Sequence, residues 1–457
     1  MHQRPALLRG ATLLAVIGLV AGACTSGSTP SPAASSAPPA STPAASAPAA
    51  ETPAASASSG GEQIGGKVTV IGTWGGSEQE SFLAMVKPFE DQTGIKVEYT
   101  GTRDLNAVLT TGVASGILPD LAGLPGPGQM KEYAQAGALK PLDDVLDLNT
   151  YKAETAPALV DLGTVDGKIS AVFIKAAVKG LIWYNPKVYT AGPATTWDDL
   201  ESKAKAAASS VGGSTTPWCT GIESGAASGW PGTDWIEDFV LRQSGPDVYD
   251  AWVNGTQKWT SAEIKQAWQA FGQVVSESYG GGKTVNATNF GDAGNPLFKT
   301  PPGCIFLHQA SFITDFFKKQ GGAKDGEFDF FPMPDINSQF SGAVEGAGDL
   351  FGMFNDTPQA RALMKYLVTA DAQDIWVKLG GALSANKNAI DYPDDTSKRS
   401  AEILANAKIF RFDASDLMPQ AMNDAFWKGI VDYVKDPNKL DSILSNLDSV
   451  QSSAYGG

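Results

Sequence analysis

The chain has 457 residues and a net charge of −15, with 49 Asp and Glu against 34 Lys and Arg, two histidines and three cysteines. That length allows two lobes, each with its own core. The acidity excludes nucleic acid as a partner, because phosphate contacts need clustered Lys and Arg, and multi-histidine metal sites are excluded because only His308 remains beyond position 2.

Arg4 and Arg9 precede an apolar run, Ala11–Val20, that ends in the small residues Ala21-Gly22-Ala23 before Cys24. A basic start, a short apolar stretch and a small-residue cleavage site predict a signal peptide over residues 1–23. The run is too short for a membrane span. Cys24 directly after Ala23 resembles a bacterial lipobox, which implies lipidation of that cysteine and an anchor on the outer face of the cytoplasmic membrane. Ala21 stands where leucine is usual, and ordinary secretion is the alternative. Residues 25–60 are almost only Ser, Pro, Ala, Thr and Gly. They cannot bury enough apolar surface to offset their ordering entropy, so residues 24–66 are predicted to be a disordered tether with a reach of roughly 35 Å. The secreted chain keeps Cys219 and Cys304. In an oxidising compartment they predict one disulfide, with two separate buried thiols as the alternative.

Lys67–Gly72 is a short apolar run that predicts a buried first strand. Ser77 with Glu80 three residues later reads as a capping box opening a helix, with Phe82, Val86 and Phe89 on one face and Gly94 as its stop. Ile95–Tyr99 predicts a second strand, Leu105, Val108 and Leu109 a further helix, and Leu121 a third strand. Such alternation is the pattern of an α/β layer, in which ligands bind beyond the carboxyl ends of strands. Trp74, Gly76 and Glu78 lie at such an end, either as ligand contacts or as a plain turn. No phosphate-cradling GxxxxGK[ST] or placed GxGxxG is present, so no nucleotide or other cofactor is expected.

Two more strands follow, Lys168–Lys175 and Gly180–Tyr184, and Thr196 caps a helix beginning at Trp197. The words KGLIWYNPKVY and PATTWDDL resemble the crossover segment of bacterial extracellular solute-binding proteins of the maltose-binding type, which serve ABC importers. The stretch TPWCTGIESGAASGWPGTDWIEDFV resembles most closely the α-glucoside-binding branch of that family. The resemblance runs from about Lys67 to the C-terminus. It implies two α/β lobes around a hinged cleft, each a mixed, mainly parallel sheet flanked by helices. Residues 67–181 and 344–390 would form the first lobe, and residues 182–343 and 391–457 the second. It further implies a monomeric binding protein without catalysis, an oligosaccharide ligand and importer permease subunits as partners. A secreted glycoside-processing enzyme with paired carboxylates, or a sugar-binding adhesin, are the rival readings.

Within the opening words of the second lobe, Trp235 falls on an apolar helix face and is expected in the core. Trp230, in a loop before Pro231-Gly232, is the better platform for an apolar sugar face. Glu223 and Asp234 are acceptors for ligand hydroxyls or, on the bland reading, a solvated acid and a helix cap. Thr260 with Glu263 reads as a second capping box, and Trp268 as core. The resemblance carries Gln309 and Ser311 as ligand contacts after the GCIFL strand, although the family's usual Gly-x-Trp wording is absent there. His308 is expected to be a structural hydrogen-bonder. The return segment AVEGAGDLFGMF implies Glu345, Gly346 and Asp349 on the hinge side of the cleft, and the loop after Gly380 implies Gly381 at its mouth. Trp427 is either a cleft aromatic or core, and Arg103 completes the expected first-lobe set.

Overall fold

The computed structural model describes residues 64–456, so the predicted signal peptide, Cys24 and nearly all of the tether lie outside the described residues. Ten principal strands are β1 (Lys67–Gly72), β2 (Lys96–Gly101), β3 (Leu121–Leu124), β4 (Ala171–Val178), β5 (Leu181–Tyr184), β6 (Thr216–Cys219), β7 (Cys304–Gln309), β8 (Asp329–Pro332), β9 (Ala343–Met353) and β10 (Ile409–Phe412). One sheet has the order β10-β9-β3-β1-β2, with β4 also paired to β9; the other has the order β8-β5-β7-β6. Both are mixed. In the first, β1 runs parallel to β2 and β3 while β9 runs antiparallel to β3 and β4. In the second, β6 and β7 are parallel, and β5 is antiparallel to β7 and β8. Among the described residues no helix is long and apolar enough to cross a membrane.

Local chemistry explains most element ends. Thr196 accepts a hydrogen bond from the Asp199 amide, and Thr357 one from Ala360, so both open their helices as N-caps. The two capping boxes do not form. The first helix, Gly76–Thr93, is capped by Gly75 with no side-chain bond, which leaves Ser77 inside the first turn and buried. At the second, Ser261 rather than Thr260 caps the helix Ala262–Ser276, because the Thr260 hydroxyl is drawn to Asp448 at 2.7 Å. The predicted strand at Lys168–Lys175 divides. Lys168–Ile169 closes a two-residue hairpin with Thr164–Val165, and β4 starts afresh at Ala171 with every residue buried.

The chain passes between the sheets three times: at Lys179-Gly180, before Ala343, and after Phe412. Gly180 has φ +68°, and a Cβ there would lie 2.4 Å from a carboxylate oxygen of Asp238, so only glycine fits this turn. Because β10 pairs with β9 in the first sheet, the last passage falls at Asp413 and not at residue 391.

Each lobe has an aromatic core. Trp74, Phe82, Phe351 and Trp376 pack together under the first sheet. Trp235 and Trp268 are fully buried in the second lobe, with the C-terminal helices contributing Met422, Phe426, Ile430, Leu440, Ile443 and Leu447. Cys219 at the end of β6 and Cys304 at the start of β7 form a disulfide with a Cα–Cα distance of 5.5 Å, inside the span that bond geometry requires. His308 bonds Asp238 at 2.6 Å and stacks on Trp235 at 4.1 Å between ring centroids, a structural role inside the core.

Candidate functional site

A cleft of about 140 Å³ opens between the lobes. Its first-lobe wall is Trp74 after β1, Glu78 in the first helix, Arg103 after β2, Lys175 in β4 and Asp349 in β9. The second-lobe wall is aromatic: Trp230, Phe290, Phe312 and Trp427. The floor is formed where the connecting strands pass, by Lys179, Asp413, Ser415 and Asp416. The lobes touch at the rim, where the Asn106 amide donates to Asp424 at 3.0 Å and Lys319 lies 3.7 Å from Glu80.

The backbone brings the loop before Trp230 against the helix that carries Trp427. Gly229 takes φ +114°, and a Cβ there would fall 2.3 Å from the Trp427 carbonyl oxygen, so glycine lets the loop close against that helix. Trp230 then becomes the first residue of the helix Trp230–Ser244, half-buried, edge-on to Phe290 at 5.0 Å.

Opposite stands a charged set held by Lys175, whose Nζ bonds Glu78 at 2.6 Å and approaches Asp349 at 3.6 Å. Burial opposes the ammonium charge, but Glu78 and Asp349 outweigh it and raise the lysine above its usual range. Burial raises the Asp349 carboxyl, with Lys175 pulling the other way. Arg103 lies 3.8 Å from Glu78 and places its guanidinium 5.1 Å from the Phe290 centroid, linking the charged wall to the aromatic one. On the floor, Lys179 bonds Asp234 at 2.6 Å and also Asp413. Burial works against that charge too, and the two aspartates overcome it.

Trp74, Glu78, Arg103, Asp349, Trp230 and Trp427 therefore share one cleft. Trp74 is 2% exposed and committed mainly to its core cluster. The other predicted contacts lie away from the cleft wall. Gly76 opens the first helix with φ +56°. Glu223 is used within its own loop, accepting from the Gly225 amide at 2.8 Å and the Asn289 amide group at 2.7 Å. Asp234 and Glu345 sit behind the floor, both buried. The Gln309 side chain folds onto the Ala310 amide, and Ser311 accepts from Val178. The Gly346 carbonyl accepts from the Asp413 amide at 2.9 Å, and Gly381 borders a separate small hollow with Ser311.

Lys175, Lys179, Phe290, Phe312, Asp413 and Asp416 carry no motif in the sequence, yet line the cleft. One signal for the lysines is visible: two charges four residues apart in an otherwise apolar strand, where burial demands partners. A larger cavity of about 670 Å³ lies behind β4, bordered by Leu159, Leu383, Ile390 and Phe410, but the convergent charges and tryptophans belong to the cleft.

The family model for bacterial extracellular solute-binding proteins matches residues 75–374. The chain belongs to this family. Similar relatives include the osmoprotective compounds-binding protein GgtB of Synechocystis sp., 38% identical over 80% of this chain and 88% of that protein. The alpha-glucosides-binding periplasmic protein AglE of Rhizobium meliloti is 36% identical over 82% of this chain and 85% of that protein. Among solved structures, a chitin oligosaccharide binding protein has the same fold at a TM-score of 0.75, with 19% identity, covering 86% of this chain and 99% of that one. Members of the family are extracellular solute-binding proteins.

Proposed function

We propose that the protein captures a small carbohydrate, an α-glucoside or related oligosaccharide, outside the cytoplasm and delivers it to an ABC importer. In this reading a lipid on Cys24 holds it to the outer membrane face, and residues 25–60 give it reach. The observation that carries the proposal is the opposition of two tryptophans on one wall to Glu78, Arg103, Lys175 and Asp349 on the other. A sugar presents apolar faces to rings and hydroxyls to charged groups, and this cleft offers both. The name of one relative, an α-glucosides-binding periplasmic protein, supports the same ligand class. Closure follows because a ligand that touches both walls binds the closed form better than the open one.

Binding is favoured over turnover. Glycoside hydrolysis needs one carboxyl as acid and another as base or nucleophile, whereas three of the four cleft carboxyls are held by a lysine, Glu78 and Asp349 by Lys175 and Asp413 by Lys179. Glu223, Asp234 and Glu345, which serve as scaffold in this reading, lie off the cleft wall.

Replacing Trp230 by alanine is expected to weaken sugar binding about 10- to 100-fold, since covering an apolar face with a ring is worth on the order of 1.5–3 kcal/mol. Calorimetric titration of wild type and variant reads this directly. Unchanged affinity would remove Trp230 from the site, and release of glucose from maltose or trehalose by the wild type would overturn the binding reading.

A further inference from the structure

Beneath the cleft floor, Asp234, Glu237, Glu345 and Asp413 bring one carboxylate oxygen each to within 4.8 Å of all the others, and all four residues are buried. They come from separate elements: Asp234 and Glu237 from the helix Trp230–Ser244, Glu345 from β9, and Asp413 from the passage after β10. Lys179 supplies one positive charge against these four carboxylates, through Asp234 and Asp413. Asp238 nearby is matched separately by Arg242 and His308. Glu237 spends its oxygens on the Ala414 and Ser415 amides, at 3.0 and 3.2 Å. Glu345 is 0% exposed, and both of its oxygens, like Asp234 Oδ2, lack a hydrogen-bond donor among the described residues. A buried carboxylate without donors is costly unless something positive meets it.

We propose that this cluster is a binding site for one calcium ion. The donors are all carboxylate oxygens with no nitrogen or sulfur, which selects a hard cation. Calcium accepts carboxylate oxygens in flexible geometry, whereas magnesium demands a near-ideal octahedron and keeps several waters, so a buried cage of four carboxylates suits the larger ion. Glu345 offers two free oxygens and Asp234 a third, its Oδ2, while Lys179 bonds the Oδ1 of Asp234. Lys179 and Asp413 also line the cleft, which gives the ion its route in when the lobes part. Bound there, calcium ties the two strands that cross between the lobes to the helix that carries Trp230.

The test uses the secreted protein after dialysis against EDTA, titrated with calcium chloride in a calorimeter and followed by thermal unfolding. One saturable calcium per chain is expected, with a melting temperature that climbs with calcium concentration, and magnesium weaker by about 10-fold or more. Glu345→Gln keeps the side chain's size and removes its charge, and is expected to weaken calcium about 10-fold or more. If calcium gives neither saturable heat nor a thermal shift in the wild type, the cluster is neutralised by protons alone and the proposal fails. Equal calcium affinity in wild type and Glu345→Gln would place the ion elsewhere and also overturn it.

Discussion

Lys179→Met is expected to destabilise the unliganded protein by about 3–5 kcal/mol, measured by urea unfolding in EDTA. The ammonium is buried between Asp234 and Asp413, and among the described residues neither aspartate has another cation in contact. Removing it leaves buried carboxylates facing one another and facing Glu237 and Glu345. Methionine keeps most of the stem's packing, so the loss reports charge and not volume. The double variant Lys179→Met with Asp234→Asn should recover part of the loss, because one of the exposed charges is gone. A loss below about 1 kcal/mol would mean that the aspartates find other neutralisation without cost.

Removing the disulfide with Cys219→Ala and Cys304→Ala is expected to cost about 4–5 kcal/mol, the loop-closure value for two cysteines this far apart in the chain. The bond spans 85 residues of sequence and ties β6 to β7 beside Trp218 and Trp183. Native-state relaxation can only reduce the figure, and a reducing agent should reproduce the effect in the wild type. Two titratable thiols in the secreted protein under non-reducing conditions, or equal stability with and without the bond, would contradict it.

The two predictions concern parts of the chain that were legible to different degrees. The cysteine pair follows from counting in an oxidising compartment. The strands β1, β2 and β5 and the cap at Thr196 follow from period and cap chemistry, which are local properties. Trp235 and Trp268 read as core from helical spacing alone. The capping boxes failed for different reasons: the first helix already starts at Gly76, ahead of Ser77, and Thr260 prefers Asp448, nearly two hundred residues away, to its own helix. The cleft's first-lobe set was partly legible because Trp74, Glu78 and Arg103 follow strands whose ends a parallel layer points at ligands. Lys175 was not, since its meaning depends on Glu78 and Asp349 converging from two other elements. Glu345 illustrates the opposite error. A carboxylate in a crossing strand draws attention as a ligand contact, but Glu345 is fully buried behind the floor, while Asp349, four residues on in the same strand, lines the cleft. Asp413 was hidden for a topological reason: only the pairing of β10 with β9 brings the passage after Phe412 under the cleft.

Titration calorimetry of the secreted protein against a panel of sugars containing maltose and trehalose tests the central claim most directly. At least one sugar is expected to bind one-to-one with a dissociation constant near micromolar, a free energy of about −8 kcal/mol, and Arg103→Ala is expected to weaken the same sugar by severing the link between the charged and aromatic walls. Absence of saturable binding by every sugar at millimolar concentration, with the protein folded, would contradict the account.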